Sequence, residues 1–278
     1  MLLEQILIGL LLLIMAIQYG YMLFFYSAFP KKTGLKRSVE PAPVSLVICA
    51  RNELENLRRC LPFWLKQDHP NYEVIVVNDR SWDASQEYLE SLQESYPQLR
   101  VRNLYDDDRQ WIGKKFALTI GIKAATHERV VLTDADCLPS SNSHLRRMAV
   151  AGENKSIVLG YGGYSGKSPV AAMVQFETLA STLHWMSWAK RLKPYMGVGR
   201  NLSYTRSLFL SKSGFSKHMH LPSGDDDLFI SAVGKRRNTT VCLHPKAFTF
   251  SKPPESMAHW WRQKRRHLST GHLYPFGV

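Results

Sequence analysis

Carboxylates gather in this chain at points where apolar segments end. Asp134 and Asp136 follow the apolar residues 130–132. Side chains alternate between the two faces of a strand. If residues 130–136 form one strand, both carboxylates therefore point to the same face. Two such groups repel each other unless a cation, a proton or a hydrogen-bond donor compensates their charge. A hard divalent cation that carries a phosphorylated ligand would suit them; the alternative is an ordinary solvated turn, in which Asp is common.

The elements that would position these carboxylates alternate between strand and helix patterns. Near-continuous apolar runs predict buried strands, and apolar residues at helical spacing predict helices between them. The predicted strands are 44–50, 72–77, 101–104 and 130–136, and the predicted helices are 55–67, 85–96 and 115–125. This order indicates an α/β fold with a mixed, mainly parallel sheet flanked by helices. Ligands of such sheets bind at the carboxyl ends of the strands, where Asp79, Asp134 and Asp136 lie.

A dinucleotide-binding fold of the Rossmann type shares this alternation but requires glycines that the chain lacks. Its GxGxxG fingerprint follows the first strand directly. Here the first strand is followed by Arg51, Asn52 and Glu53, and the glycine cluster 160–163 comes only after the fourth or fifth strand. The sequence therefore disfavours that alternative.

The second half of the chain is less regular. We predict strands at 157–164 and 241–250, and helices at 171–190 and 260–267. The aromatic-rich helix 171–190 suits either a core position or a membrane interface. The acidic residues 225–227 precede an apolar helix, whose amino end favours negative charge. A helix cap with solvated charge is the simplest role for them.

The segment 6–29 is a 24-residue stretch without a charged side chain. As a helix it would be about 36 Å long, enough to cross a bilayer core of about 30 Å. A signal peptide would have a shorter apolar core and positive charge in front of it. Here Glu4 comes first, and four Lys or Arg residues follow between 31 and 37. The positive-inside rule then predicts a single-pass anchor in the inner or plasma membrane, with the remainder of the chain in the cytoplasm.

The chain is strongly basic, with a formal net charge of +13, and 45% of its residues are hydrophobic. This charge favours an anionic partner, namely a phosphorylated ligand, an anionic membrane surface or a nucleic acid. Nucleic acid would explain the charge but not the acidic residues at strand ends, so we predict no nucleic-acid partner. The four cysteines are widely spaced and form no CxxC pair, which predicts reduced, buried thiols.

The order and spacing of these segments resemble family 2 glycosyltransferases with the GT-A fold, in particular the membrane-bound type with a carboxyl-terminal QxxRW element. The matching segments are ARNE at 50–53, ND at 78–79, GKK at 113–115, DAD at 134–136, GDDDL at 224–228 and QKRRH at 263–267. The resemblance covers about residues 44–267. It implies a Rossmann-like GT-A domain at 44–250 and an amphipathic segment carrying QxxR at 251–278. Composition predicts the two segments before them, a transmembrane anchor at 1–29 and a basic linker at 30–43.

The resemblance implies a nucleotide-sugar site at the strand ends. The residues that it assigns to the donor are Ala50, Arg51, Asn52, Glu53, Asp79, Lys114, Lys115, Asp134, Gln263 and Arg266. Asp79 would read a uracil ring, since a carboxylate can accept the imide N–H. Either Lys114 or Lys115 would lie near the phosphates. Asp136, together with Asp134, would hold Mg²⁺ or Mn²⁺, which neutralises charge on the leaving nucleoside diphosphate.

The resemblance also implies an acceptor side. Aligned on Leu228, the family's ED-x-DL pattern places the general base at Asp225, with Asp226 as the fallback and Gly224 in place of the usual Glu. The base would take the proton of the acceptor hydroxyl in a single displacement that inverts the anomeric centre. Asn201 and His267 are the other acceptor-side residues. His267 stands where the family has Trp, so the resemblance does not carry acceptor stacking over to this chain, and stacking, hydrogen bonding and neither role stay open for His267.

Together these patterns predict an inverting, metal-dependent glycosyltransferase at the cytoplasmic face of a membrane. The expected donor is a nucleotide sugar, with UDP as the nucleotide, and the expected acceptor is a glycan or a lipid-linked molecule. The alternative is a non-catalytic, membrane-anchored protein that binds a nucleotide sugar or a partner, and the complete set of acidic positions argues against it. Relatives continue into further membrane helices, so we expect either a shortened chain or a single-anchor variant.

Overall fold

The computed structural model describes residues 2–29, 40–105, 113–221, 223–268 and 271–273. Its helices are α1 (Leu2–Tyr26), α2 (Leu54–Trp64), α3 (Ser85–Gln93), α4 (Lys114–Ala124), α5 (His144–Ala151), α6 (Pro169–Arg191), α7 (Arg206–Ser211), α8 (Asp227–Val233) and α9 (Met257–Leu268). Its strands are β1 (Val44–Ala50), β2 (Tyr72–Asp79), β3 (Leu99–Leu104), β4 (Arg129–Asp134), β5 (Leu138–Pro139), β6 (Ile157–Gly160), β7 (Gly162–Tyr164), β8 (Leu202–Thr205), β9 (Thr239–Cys242) and β10 (Thr249–Ser251). Most of the predicted linker 30–43 lies outside the described residues.

The main sheet has seven strands in the order β3-β2-β1-β4-β8-β6-β9. β1 runs parallel to β2 and β4, β2 to β3, and β6 to β9, whereas β8 is antiparallel to β4 and β6. The predicted mixed, mainly parallel α/β sheet is therefore confirmed. Because β1, β2 and β4 are parallel neighbours, their carboxyl ends meet at one edge, which brings Ala50, Asp79 and Asp134 together.

Helices cover both faces of the sheet. Leu46 and Ile48 of β1 pack in a core cluster with Leu57 of α2, whereas Val47 packs on the other face with residues of α4. Since side chains alternate along a strand, burial of both faces requires the near-continuous apolar sequence of β1. Gly121 lets α4 lie close to the sheet, because a Cβ there would come within 2.5 Å of Val47 Cγ1.

A small second sheet, ordered β5-β10-β7, corrects two of the predicted strands. Segment 157–164 is not one strand: β6 belongs to the main sheet and β7 to the small one, and the chain crosses between them at Tyr161. Segment 241–250 is also divided, because a 3₁₀ turn at Pro245–Ala247 separates β9 from β10. Proline supplies no N–H to a sheet ladder, which accounts for this second break.

The amino-terminal helix α1 is long and apolar enough to cross a membrane, with a mean hydropathy of 2.2 over a window of which none is buried. Its last turns pack against α6. The ring of Phe25 stacks on that of Trp188 with centroids 5.1 Å apart, and Tyr21 Oη lies 2.6 Å from His184 Nε2. The predicted apolar helix is thus present, and aromatic and polar contacts join it to the α/β domain.

α6 combines a core face with an exposed apolar face. Val174, Thr178 and Trp185 are buried, whereas Phe176 is 74% exposed and Leu179 is 47% exposed. The prediction left a core position and a membrane interface open for this helix. One face is a core face, and the other exposes apolar side chains at these two residues.

Candidate active site

A cavity of about 550 Å³ opens at the carboxyl ends of β1, β2 and β4. We call it the larger cavity; its polar lining comprises Arg51, Glu53, Asp79, Lys114, Asp134, Asp136, Tyr164, Arg200, Ser251, Lys252, His259, Gln263 and Arg266. A smaller cavity of about 220 Å³ is lined by α6 and by residues 223 and 225–227. The residues that line both are Lys114, Asp134, Tyr164, Arg200, Gln263 and Arg266. The two cavities therefore adjoin along this shared wall.

The acidic pair Asp134 and Asp136 lies in the larger cavity, although not for the predicted reason. β4 ends at Asp134, and Asp136 belongs to the turn after it, in which Cys137 N donates to Asp134 O over 3.1 Å. Strand alternation therefore does not align the two side chains, because the strand stops before the second carboxylate. The turn brings them together instead, so that ligand atoms of Asp134, Asp136 and Cys137 all lie within 4.8 Å of one another.

The chemistry of this group fits a hard divalent cation held by two carboxylates. Burial and the charge of Asp134 raise the pKa of Asp136. Burial also raises the pKa of Asp134, but the ammonium of Lys114 together with the charges of Arg200 and Arg266 outweighs burial, so the pKa lies below its ordinary value. Burial raises the pKa of the Cys137 thiol well above its usual range, so the thiol stays protonated and donates to Asp136 Oδ1 over 3.4 Å. Two carboxylates beside a neutral thiol favour Mg²⁺ or Mn²⁺ over a soft metal.

Lys114, the first residue of α4, connects the two cavities. Its Nζ lies 2.8 Å from Asp134 Oδ1 and 3.1 Å from Asp225 Oδ2. Lys115, the other predicted phosphate neighbour, is buried elsewhere: its ammonium donates to the carbonyls of His218 and Leu221 and does not line either cavity. Consecutive residues of a helix point about 100° apart, so only one of the two lysines can face the site.

The acidic residues at the start of α8 line the smaller cavity with different partners. Asp225 faces Lys114, as described. Asp226 accepts hydrogen bonds from two backbone amides, with Oδ1 2.8 Å from Asp227 N and Oδ2 2.8 Å from Gly199 N. Burial and the neighbouring charges of Asp225 and Asp227 raise the pKa of Asp226 to about 7. Asp226 thus caps α8 and fixes the loop at Gly199, whereas Asp225 faces the ammonium of Lys114, which lines both cavities.

The end of β1 supplies three of its four predicted donor residues to the larger cavity. Ala50, Arg51 and Glu53 line it. Asn52 does not: its backbone φ is 55°, its Oδ1 accepts from Trp82 N over 2.9 Å, and its N–H donates to Ser81 Oγ over 2.9 Å. Asn tolerates this left-handed conformation, which turns its side chain towards the loop after β2. Asn52 therefore supports the neighbouring loop rather than the cavity wall.

Asp79 and the two predicted residues of α9 also line the larger cavity. Asp79 is buried, and its Oδ1 pairs with Arg80 Nη1 at 2.5 Å. Gln263 and Arg266 are three residues apart, so they lie on the same side of α9 and reach both cavities. Gln263 Nε2 donates to Tyr164 Oη over 3.1 Å, which ties α9 to β7. The side chain of His267 lies outside the described residues.

Sequence reasoning missed Tyr164 and Arg200, and it misplaced Asn201. Tyr164 and Arg200 line both cavities. Asn201, predicted on the acceptor side, is fully buried, and its Nδ2 donates to the carbonyls of Tyr161 over 2.9 Å and Ala247 over 2.7 Å. Its side chain fixes the backbone at these two carbonyls and does not line either cavity. Asn201 and Arg200 are neighbours in the chain, and a sequence does not reveal which of two adjacent side chains faces a cavity.

A model of glycosyl transferase family 2 matches residues 45–202 of this chain. The poly-beta-1,6-N-acetyl-D-glucosamine synthase of Staphylococcus epidermidis is 24% identical over 238 residues, which cover 82% of this chain and 54% of that protein. The probable glycosyltransferase YdaM of Bacillus subtilis is 24% identical over 232 residues, covering 80% and 54%. The chain thus spans about half the length of the curated relatives it matches.

Solved structures of glycosyltransferases share the fold. The mannosyltransferase PcManGT from Pyrobaculum calidifontis, in complex with GDP-Man and Mn²⁺, superposes with a TM-score of 0.61 at 20% identity over 95% of this chain and 75% of that one. Staphylococcus aureus TarS 1-349 in complex with UDP-GlcNAc gives a TM-score of 0.56 at 18% identity over 78% and 60%. These likenesses confirm the predicted GT-A fold.

Proposed function

Since the chain belongs to glycosyl transferase family 2, we propose that it is a glycosyltransferase that moves a sugar from a nucleotide sugar to an acceptor hydroxyl, with a divalent metal ion and with inversion at the anomeric carbon. The observation that carries the proposal is the position of Lys114. Its ammonium joins Asp134, in the larger cavity, to Asp225, in the smaller one. A donor in the larger cavity and an acceptor in the smaller cavity would meet at this residue.

The larger cavity suits a nucleotide sugar. Its volume of about 550 Å³ is typical of small-molecule sites, which measure roughly 300–1,000 Å³. Asp79 offers a carboxylate to a base, while Lys114 and Arg266 offer positive charge to a diphosphate. A carboxylate at the base position suits uracil, whose imide N–H it can accept, and it also suits the N1–H of guanine. We therefore propose a UDP-linked sugar as donor, with a GDP-linked sugar as the competing choice because PcManGT binds GDP-Man.

In the proposed reaction the acceptor oxygen attacks the anomeric carbon while the bond from that carbon to the β-phosphate oxygen breaks. The electron pair of the broken bond stays on the nucleoside diphosphate, and the acceptor proton passes to the Asp225 carboxylate. Attack opposite the leaving group inverts the configuration. Asp225 is better placed than Asp226 to take the proton, because both oxygens of Asp226 already accept backbone N–H groups.

Asp134 and Asp136 are the residues that would hold the divalent ion, and Gln263 and Arg266 would lie beside the diphosphate. When bound, the ion would neutralise negative charge on the leaving nucleoside diphosphate. The Mn²⁺ complex of PcManGT supports a divalent ion of this kind. Oxygen ligands alone do not separate Mg²⁺ from Mn²⁺, so both belong in the test.

We place the reaction at the cytoplasmic face of a membrane, with α1 as the anchor and a glycan or lipid-linked acceptor. The length and composition of α1 support a membrane span. The basic residues that follow it support a cytoplasmic catalytic domain by the positive-inside rule. In this scheme residues 1–29 anchor the chain, 30–43 link it, 44–250 form the catalytic domain and 251–278 carry the QxxR helix.

The test uses the full chain in detergent with UDP-GlcNAc and GDP-Man, each with Mn²⁺, with Mg²⁺ or with EDTA. A bound donor should raise the thermal unfolding midpoint, and EDTA should abolish transfer or donor hydrolysis until either metal is restored. Asp225→Asn keeps the side chain's shape and removes the base, so turnover should fall by roughly 10²–10⁴-fold while the donor-induced thermal shift stays.

The matched control is Asp68→Asn, at an exposed carboxylate outside both cavities, which should leave turnover unchanged. Turnover near that of wild type in Asp225→Asn would contradict the role of Asp225 as the general base. The absence of a thermal shift with every nucleotide sugar would contradict the proposed function itself.

A further inference from the structure

Arg200 is a cation at the boundary between the two cavities, and the family pattern assigned it no role. It lies between the end of α6 and the start of β8 and lines both cavities. Its guanidinium carbon sits 4.2 Å from the centroid of the Tyr164 ring, and its Nη1 donates to Ser251 Oγ over 3.2 Å. Stacking on an aromatic face fixes the plane of a guanidinium without consuming its N–H donors.

The backbone at Arg200 is also fixed. Its carbonyl accepts hydrogen bonds from Thr133 Oγ1 and from Thr249 Oγ1, each over 3.0 Å. Thr133 precedes Asp134 in β4, so Arg200 is attached directly to the strand that presents the acidic pair. The hydroxyl of Tyr164 in turn accepts from Gln263 of α9. The guanidinium is therefore held in one position before any ligand arrives.

Among the described residues Arg200 forms no direct ion pair, although its charge lowers the pKa of Asp134. Within the described part of the chain, no carboxylate oxygen lies within 4.0 Å of its guanidinium nitrogens, whereas Lys114 in the same wall has two such partners. Its polar contacts are a serine hydroxyl and a carbonyl, both bonded through Nη1. The guanidinium is thus held in the cavity wall with N–H donors that these contacts do not use. Such a group suits an anion with several oxygens, such as a phosphate.

We infer that Arg200 binds the β-phosphate of the donor, the phosphate bonded to the sugar. The inference rests on the proposed function. Asp79 lines only the larger cavity, and Asp225 lines only the smaller one. If the base of a nucleotide sugar binds at Asp79 and its sugar lies beside Asp225, the diphosphate between them lies along the shared wall. Arg200 lies in that wall. Its charge then stabilises the phosphate that receives the electron pair of the breaking bond, and Tyr164 is its positioning residue.

The test measures binding of UDP and UMP, or GDP and GMP if wild type prefers guanine, to the full chain by titration calorimetry with Mn²⁺ and with EDTA. Losing a hydrogen bond to a charged group weakens binding by about tenfold or more. Arg200→Gln should therefore weaken the diphosphate by about that factor and the monophosphate by less than about threefold, since UMP has no β-phosphate. The same selective loss is expected in EDTA, because it does not depend on the metal.

Two pairs of variants separate this role from a structural one. Arg265→Gln, the same change at an exposed residue of α9 that lines neither cavity, should bind both nucleotides like wild type. Tyr164→Phe keeps the ring under the guanidinium and should lose less UDP affinity than Tyr164→Leu, which removes the ring and should weaken UDP but not UMP. Equal weakening of UDP and UMP, or unchanged UDP binding, in a folded Arg200→Gln protein overturns the inference. Failure of wild type to bind any nucleoside diphosphate would instead overturn the proposed function.

Discussion

Asp225 and Asp226 are adjacent carboxylates that the fold separates into different environments. Asp225 is 3.1 Å from the ammonium of Lys114, whereas Asp226 accepts two backbone N–H groups and is surrounded by like charge. Burial and the charges of Asp225 and Asp227 raise the pKa of Asp226 to about 7, against an ordinary value of 3.8. A carboxyl group whose pKa is raised this far makes the stability of the folded chain depend on pH.

The sign of this pH dependence follows from the number of protons bound in the folded and in the unfolded chain. Between about pH 4 and pH 7 the folded chain keeps the Asp226 proton that the unfolded chain has released, so the contribution of this group to stability falls as pH rises through that window. Asp226→Asn cannot ionise. Urea unfolding at pH 5 and at pH 8 should therefore show a smaller loss of stability for Asp226→Asn than for wild type.

The comparison uses the pH dependence and not the absolute stability, because Asn keeps only one of the two acceptor oxygens that bond to Gly199 and Asp227. Asp68→Asn, at an exposed carboxylate, is the matched control and should follow wild type. An equal loss of stability with pH in wild type and in Asp226→Asn would contradict the raised pKa.

Among the elements, β6 and β8 show how the fold orients the segment that carries Arg200. The side chain of Asn201 passes directly over Gly160 at the end of β6, and a Cβ at Gly160 would lie 2.4 Å from its Cγ. Asn201 bonds to His144, Tyr161 and Ala247 and is fully buried, so it has no room to move aside. This packing directs Asn201 inward, and its neighbour Arg200 lines the cavities.

Gly160→Ala should therefore destabilise the fold, by about 1–3 kcal/mol as expected for overpacking of a tight interior. Chemical denaturation gives the free energy of unfolding. Gly271→Ala is the matched control, since a Cβ there would meet no atom within 4 Å. A Gly160→Ala protein as stable as wild type would show that Asn201 can leave its hydrogen bonds without cost.

In the whole molecule, α6 links the apolar anchor helix to the smaller cavity. Arg191, at the end of α6, donates to the carbonyl of Phe24 over 3.1 Å and to Ser27 Oγ over 2.8 Å. Other residues of α6, including Thr178 and Trp185, line the smaller cavity. The proposed acceptor side is thus built on the same helix that holds α1, which favours an acceptor supplied from the membrane.

Membrane insertion of α1 can be tested with charge. Arg near the middle of a membrane helix costs about 2.5–3.5 kcal/mol on the insertion scale, so the double change Leu11→Arg/Ile14→Arg should move the full chain out of the membrane fraction after an alkaline carbonate wash. Leu2→Arg/Leu3→Arg adds the same charge at the start of α1 and should leave the chain in that fraction. Retention of the Leu11→Arg/Ile14→Arg protein would show that α1 does not span the bilayer.

Much of the fold could be predicted because the signals are local. The apolar run 44–50 is β1 to the residue, and the helical spacing of α4 and α9 located them within a few positions. The cysteines are unpaired, and Cys60, Cys137 and Cys242 are buried, as expected. The strands around Tyr161 and Pro245 were not separated correctly, because the change from one sheet to another depends on distant partners and leaves little trace in composition.

The sequence by itself determined the order of strands and helices, the apolar amino-terminal helix and the acidic positions at strand ends, since each follows from hydrophobic period and residue type nearby. Only the tertiary structure decided which member of each adjacent pair faces the cavities: Lys114 rather than Lys115, and Arg200 rather than Asn201. It also showed that a turn, and not a strand, brings Asp136 to Asp134. Side-chain direction at strand and helix ends is fixed by packing against residues far away in the chain, and local sequence does not encode those partners.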